Sequence, residues 1–123
     1  MDRSLSADFE RLQHIVEAID QILRFCEGKS ESDFLNDAML NSSVLYQFIV
    51  IGEAIRYVNP EILGKYPYPW HLPRSFRNYV IHVYFGINLK QVFKTVTDLL
   101  PEFRVIIQQM LDIEFRQGDV FTP

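Results

Sequence analysis

Apolar residues return every three or four positions along almost the whole chain, and that spacing favours helices over any other element. Phe9, Leu12, Ile15, Val16, Ile19, Ile22, Leu23 and Cys26 form one stripe of an amphipathic helix. Ser6 is its expected N-cap, Asp8 and Glu10 favour its positive end, and Gly28 is its stop. Ser30-Glu31-Ser32-Asp33 offers a second start signal. The segment 32–58 that follows carries Phe34, Leu35, Met39, Leu40, Val44, Leu45, Phe48, Ile49 and Ile51. Its apolar surface is wider than one stripe, so this helix is expected to sit centrally and to end at Pro60. Pro60, Pro67, Pro69 and Pro73 forbid a long helix across 60–73 and leave a loop rich in aromatic residues. A helix is predicted over 73–83, with Pro73 tolerated in its first turn. Gly86 breaks it and Asn88 caps the next. Val92, Phe93, Val96, Leu99, Leu100, Phe103, Ile106, Ile107, Met110 and Leu111 then keep the rhythm, kinked or split at Pro101.

No stretch alternates apolar and polar residues, so the expected fold is all-α: an antiparallel bundle of four to five main helices. The 123 residues fit one domain, drawn here as 1–116 with a frayed tail at 117–123. With 48% hydrophobic and 23% charged residues the chain can bury a core. A single cysteine rules out a disulfide framework and suggests a reducing compartment. No run of 18 apolar residues occurs, Val44–Ile51 being short and carrying Gln47, and the N-terminus lacks a secretion signal. The expectation is a cytoplasmic protein that does not cross a membrane. A net charge of −4 argues against a broad basic face for nucleic acid, so any RNA chemistry needs a local basic cluster. The apolar surplus points to a homodimer.

Several familiar sites are absent from the sequence: a Gly-rich phosphate loop, paired cysteines and a His-Glu-x-x-His helix. His14, His71 and His82 are scattered, His14 and Glu17 make a weak pair, and Cys26 reads as a packed small hydrophobe. No metal site is expected. The segment 73–86, PRSFRNYVIHVYFG, stands apart. Arg77 can grip a phosphate through two parallel hydrogen bonds and offset charge that grows in the transition state. Histidine is the residue type suited to proton transfer near neutrality, so His82 can take a proton from a ribose 2′-OH or give one to a leaving 5′-oxygen. Arg and His five apart are expected about 0.2 times by chance in such a composition, so spacing alone is weak. On an ideal helix these two positions lie about 140° apart, whereas Asn78 and His82 share a stripe. Either the helix deforms near His82, or a cleft between two subunits collects groups from both copies.

Arg77-Asn78, three residues, His82, one residue, Tyr84, then Phe85-Gly86 resembles the signature of the HEPN superfamily, and more narrowly that of the HepT toxins. Ile51-Gly52-Glu53-Ala54, Trp70 and Leu99-Leu100-Pro101-Glu102 extend the likeness over most of 6–113. The resemblance implies an all-helical homodimer that acts as a metal-independent ribonuclease and is encoded beside an MNT-type nucleotidyltransferase antitoxin. Carried over, Arg77 would bind and polarise the scissile phosphate and His82 would be the general acid/base. Asn78, with Arg74 nearby, would support them. Tyr84 would accept AMP, which the partner transfers from Mg-ATP; cleavage itself would need no cofactor. The added phosphate and adenosine would obstruct the path of the RNA substrate, whether tRNA or mRNA. Val83 and Asn88 depart from residues common in that family. Gly52 reads as a point of close helix approach, Glu53 as a partner for a motif arginine, and Trp70 with the loop tyrosines as packing rather than base-stacking residues. The competing reading is a non-catalytic partner subunit that presents substrate or nucleotide to a nucleotidyltransferase.

Overall fold

Seven α-helical segments succeed one another among residues 3–115, the part of the chain that the computed structural model describes. They are α1 (Arg3–Cys26), α2 (Glu31–Asn36), α3 (Ala38–Arg56), α4 (Pro60–Leu63), α5 (His71–His82), α6 (Leu89–Lys94) and α7 (Leu100–Glu114). A 3-10 turn, Tyr84–Gly86, follows α5, and a π turn, Thr95–Leu99, joins α6 to α7. No strand occurs among the described residues, so the fold is the helical one that the periodicity predicts. The tail drawn at 117–123 lies outside the described residues.

The stripe on α1 is buried as read: Leu12, Ile15, Ile19 and Ile22 have no exposed surface. The helix starts earlier than Ser6, which lies inside it. A serine costs a helix interior only about 0.5 kcal/mol, too little to stop propagation. Gly28 ends the helix with φ +73°, a left-handed conformation that an L side chain resists. Ser30 and Asp33 then build a reciprocal capping box, with Asp33 N donating to Ser30 Oγ (3.1 Å) and Ser30 N to Asp33 Oδ2 (2.9 Å).

Two further boundaries differ from the sequence expectation. The segment 32–58 is two helices, because Asp37 is extended (φ −118°, ψ 99°) and its Oδ1 accepts from Leu40 N at 3.1 Å, capping α3. Asn36 and Asn41 donate to the carbonyls of Ser32 (2.9 Å) and Phe34 (3.2 Å), so the break leaves these α2 acceptors satisfied. At the other end α3 stops at Arg56, and Pro60 begins α4 instead of ending α3. Its missing N–H costs nothing at a first helical position, and Asn59 Oδ1 caps Glu61 N at 2.9 Å. Buried Asp8 of α1 holds this corner by accepting from Asn59 N at 3.2 Å.

The central position expected for the apolar segment holds for α3, which buries Leu40, Val44, Phe48, Ile51 and Ile55 and packs against α1 and α5. By length and composition α3 is also apolar enough to cross a membrane, further than the Val44–Ile51 run suggests; in this fold its apolar face forms the core. The proline loop clamps onto α7. Trp70 Nε1 donates to Leu63 O (2.8 Å), Tyr66 OH donates to Glu114 Oε2 (2.9 Å), and the Tyr68, Trp70 and Phe103 rings pack together. These aromatics are packing residues.

α7 is tied to α1 by a two-pronged ion pair, Arg104 Nε to Asp20 Oδ1 at 2.6 Å and Nη2 to Oδ2 at 3.1 Å. The Arg104 hydrogen bond holds the Asp20 carboxyl below its ordinary value, and Lys65, then Tyr66, do the same for Glu114. Burial, helped by Glu114, pushes the Tyr66 hydroxyl up to about 12. Depressed carboxyls contribute stability above their unfolded pKa and lose it as pH falls through the folded one. Thermal melts are therefore expected to drop in midpoint below about pH 4, and Asp20→Asn to flatten that decline. An unchanged acid limb in Asp20→Asn would show that the pair is screened away.

Candidate active site on the third and fifth helices

Gly52 is where α3 and α5 touch. A Cβ there would meet Arg77 Cβ at 2.3 Å and Pro73 O at 2.7 Å, so no other residue fits without separating the helices. The contact lays the Arg77 side chain across α3 beside Glu53. Arg77 Nη2 is 3.1 Å from Glu53 Oε2, and Nη1 donates to Asn78 Oδ1 at 2.9 Å. The pairing expected for Glu53 and the close approach expected at Gly52 are both present. The Glu53–Arg77 contact is an ion pair without hydrogen-bond alignment. Glu53 Oε2 has no hydrogen-bond donor, and the buried Nε of Arg77 has no acceptor.

Around this pair Gly52, Glu53, Arg56, Arg74, Arg77 and Asn78 line a polar cleft of about 220 Å³. Three of the eight arginines therefore share one cleft on an acidic chain, the local basic cluster that RNA chemistry would need. Arg77 and Arg74 stand out in the sequence through their segment. Arg56 is not singled out by any motif; the signal was its position one turn after Gly52-Glu53 on a helix that had to meet the arginine segment.

His82 is the last residue of α5 and is exposed. The helix stays regular through it, with Val83 N bonding Tyr79 O at 2.9 Å, so Arg77 and His82 leave the same helix about 140° apart. Of the two alternatives open in the sequence, local deformation is not what the structure has. Asn78 links the two halves: it holds Arg77 and lies one turn before His82 on the same stripe. Tyr84 opens the 3-10 turn, and its side chain lies outside what the structure describes. Tyr79 OH accepts from Asn88 N at 2.8 Å, and Asn88 Oδ1 caps Gln91 N at 3.2 Å, fixing the turn behind the motif.

Other sequence candidates stay apart from the cleft. His14 and Glu17 are exposed on α1, and Cys26 is half-buried, its thiol pushed up by burial. Among the described residues, no three His, Cys, Asp or Glu side chains gather to hold a metal ion.

Residues 15–110 match the family described as Ribonuclease HepT-like. A Methanocaldococcus jannaschii protein provisionally named an RNase is 32% identical over 94 residues, 76% of this chain and 86% of its own. A Thermococcus cleftensis protein provisionally named ribonuclease HepT is 31% identical over the same shares of the two chains. A Caldanaerobacter subterraneus protein provisionally named an RNase is 28% identical over 84% of this chain and 93% of its own. No solved structure gives a significant match. The chain belongs to the HepT-like ribonuclease family of the HEPN superfamily.

Proposed function

We propose that the protein is a metal-independent endoribonuclease, the toxin of a type VII-like toxin–antitoxin pair, with its active cleft completed by a second copy of the chain. The observation that carries this reading is the three-arginine cleft on an acidic protein, built around the motif arginine of a HepT-like chain. Arg77, supported by Arg74 and Asn78, holds the scissile phosphate. His82 takes the proton from the ribose 2′-OH, whose oxygen forms a bond to phosphorus as the bond to the 5′-oxygen breaks. The imidazolium returns a proton to that oxygen, and the products are a 2′,3′-cyclic phosphate and a 5′-hydroxyl.

Two observations favour the second copy. Arg77 and His82 point away from each other within one chain, and the surface next to His82 is apolar. Ile81 and Val83 are 39% and 40% exposed, and Phe85 is 99% exposed. With Leu45, Tyr46 and Ile49 of α3, Ile81 and Phe85 border a groove of about 580 Å³. A patch that carries both a groove and a projecting ring suits a two-fold, self-complementary interface.

Neutralisation follows from the same site. A cognate MNT-type nucleotidyltransferase moves AMP from Mg-ATP to the Tyr84 phenolic oxygen with loss of pyrophosphate, placing a phosphate in the substrate path. The net charge of −4 favours one other reading, a non-catalytic partner subunit of the nucleotidyltransferase.

The test is cleavage of cellular RNA in excess EDTA by wild type and His82→Ala. Wild type is expected to leave cyclic phosphate ends, and the variant to lose about 10²–10⁴-fold in rate. Preincubation with the neighbouring nucleotidyltransferase and Mg-ATP is expected to silence the wild type and to add AMP mass at Tyr84. A folded wild type with no cleavage would sink the enzyme reading in favour of the partner subunit.

A further inference from the structure

We infer that Arg56 is a phosphate-binding residue, and that the cleft it shares with Arg74 and Arg77 is an RNA-backbone subsite in which Glu53 is the resident anion that the phosphate displaces. The inference rests on the ribonuclease reading and deepens it.

Three observations carry it. First, the cleft sets three guanidiniums against one carboxylate, an excess of positive charge on a chain whose net charge is −4. Second, the bonding inside it is incomplete. Arg77 Nε is buried with no acceptor, and Glu53 Oε2, although 3.1 Å from Nη2, has no aligned donor. Buried polar atoms left in this state mark a place where another group belongs. A tetrahedral phosphate presents several acceptor oxygens and can serve Nε and the neighbouring guanidiniums together, which one carboxylate in this position does not.

Third, Arg56 is held in place while its donors remain available. Its guanidinium lies over the Tyr57 ring at 5.4 Å, and Arg11 approaches the same ring at 5.6 Å. Stacking uses the face of a guanidinium and leaves its N–H edge for an acceptor. Arg56 also ends α3, one turn beyond Glu53, so the two side chains border the cleft from the same helix face. Glu53 thus offsets part of the repulsion among the arginines until phosphate arrives.

The experiment measures binding of a 2′-O-methyl oligoribonucleotide, which lacks the attacking hydroxyl and stays intact, across a salt series. Variants are Arg56→Gln, Arg56→Lys, Glu53→Gln and, as a charge-matched control, Lys29→Gln on an exposed surface. Arg56→Gln is expected to weaken binding and to reduce the slope of log K against log salt by about 0.7, one phosphate contact on a single strand. Arg56→Lys is expected to keep the slope, Glu53→Gln to tighten binding, and Lys29→Gln to match wild type. A wild-type slope in Arg56→Gln, or weaker binding in Glu53→Gln, overturns the inference while leaving the ribonuclease reading in place. A wild type that binds no oligonucleotide overturns both.

Discussion

Mixing Arg77→Ala chains with His82→Ala chains is expected to restore ribonuclease activity that neither variant has alone. In a mixed dimer one cleft receives an intact arginine from one chain and an intact histidine from the other, while its twin receives neither. Random reassociation makes half of the dimers mixed, so recovery of about a quarter of the wild-type rate is the expected ceiling for a two-fold assembly. The measurement is single-turnover cleavage after the two variants are unfolded and refolded together, compared with each refolded alone. Because α5 is regular through His82, a side chain at position 77 cannot share a stripe with one at 82. Activity that stays at the level of the single variants, in a sample shown to contain mixed dimers, would place both groups of each site in the same chain.

Gly52→Ala is the second substitution with a large expected effect, and it acts through geometry alone. The new methyl would sit 2.3 Å from Arg77 Cβ and 2.7 Å from Pro73 O, neither of which is the free end of a flexible side chain. Relief needs α3 and α5 to part by roughly 1 Å, and misplacement on that scale costs about 10² in rate when it moves a group that must meet the transition state. Overpacking of this kind costs about 1–3 kcal/mol, offset in part by the roughly 1 kcal/mol that alanine gains over glycine within a helix. The expected result is therefore a modest fall in melting temperature with a much larger fall in kcat/KM. A large loss of stability with kcat per folded molecule unchanged would show that Arg77 tolerates displacement.

What could be read before folding was whatever short-range rules govern. The stripe on α1, the turn at Gly28, the capping box at Ser30, the start of α5 near Pro73 and the cap at Asn88 each depend on residues no more than four apart. The break at Asp37 was harder to see, because apolar residues continue at helical spacing on both sides of it. What marks the break is a set of side-chain hydrogen bonds: Asn36 and Asn41 donate to α2 carbonyls, and Asp37 accepts from Leu40 N at the start of α3. Asp8 illustrates the same limit. It reads as a residue favouring the start of a helix, whereas in the fold its carboxylate is buried and secures a backbone amide 51 positions away. At the site, the motif marked Arg77 and His82, and Gly52-Glu53 was legible as a contact. Arg56 was not, since it belongs to no motif and only its spacing from Gly52-Glu53 hints at it. Only the packing of α3 on α5 brings it to Arg74 and Arg77.

The π turn at Thr95–Leu99 has a consequence for how the last two helices share their duties. There Leu100 N bonds Thr95 O, one residue further back than an α-helix allows, and the next residue, Pro101, has no N–H with which to restore the shorter bond. One residue more than an α turn holds rotates everything downstream by about 100°. That rotation lets α6 pack the Phe93 ring against Phe34 of α2 at 5.4 Å while α7 presents Arg104 to Asp20 of α1. A seamless rod would have a single phase, and could satisfy one of these neighbours only by turning away from the other. The surplus residue works as a phase shifter, giving one continuous stretch of chain two independent orientations.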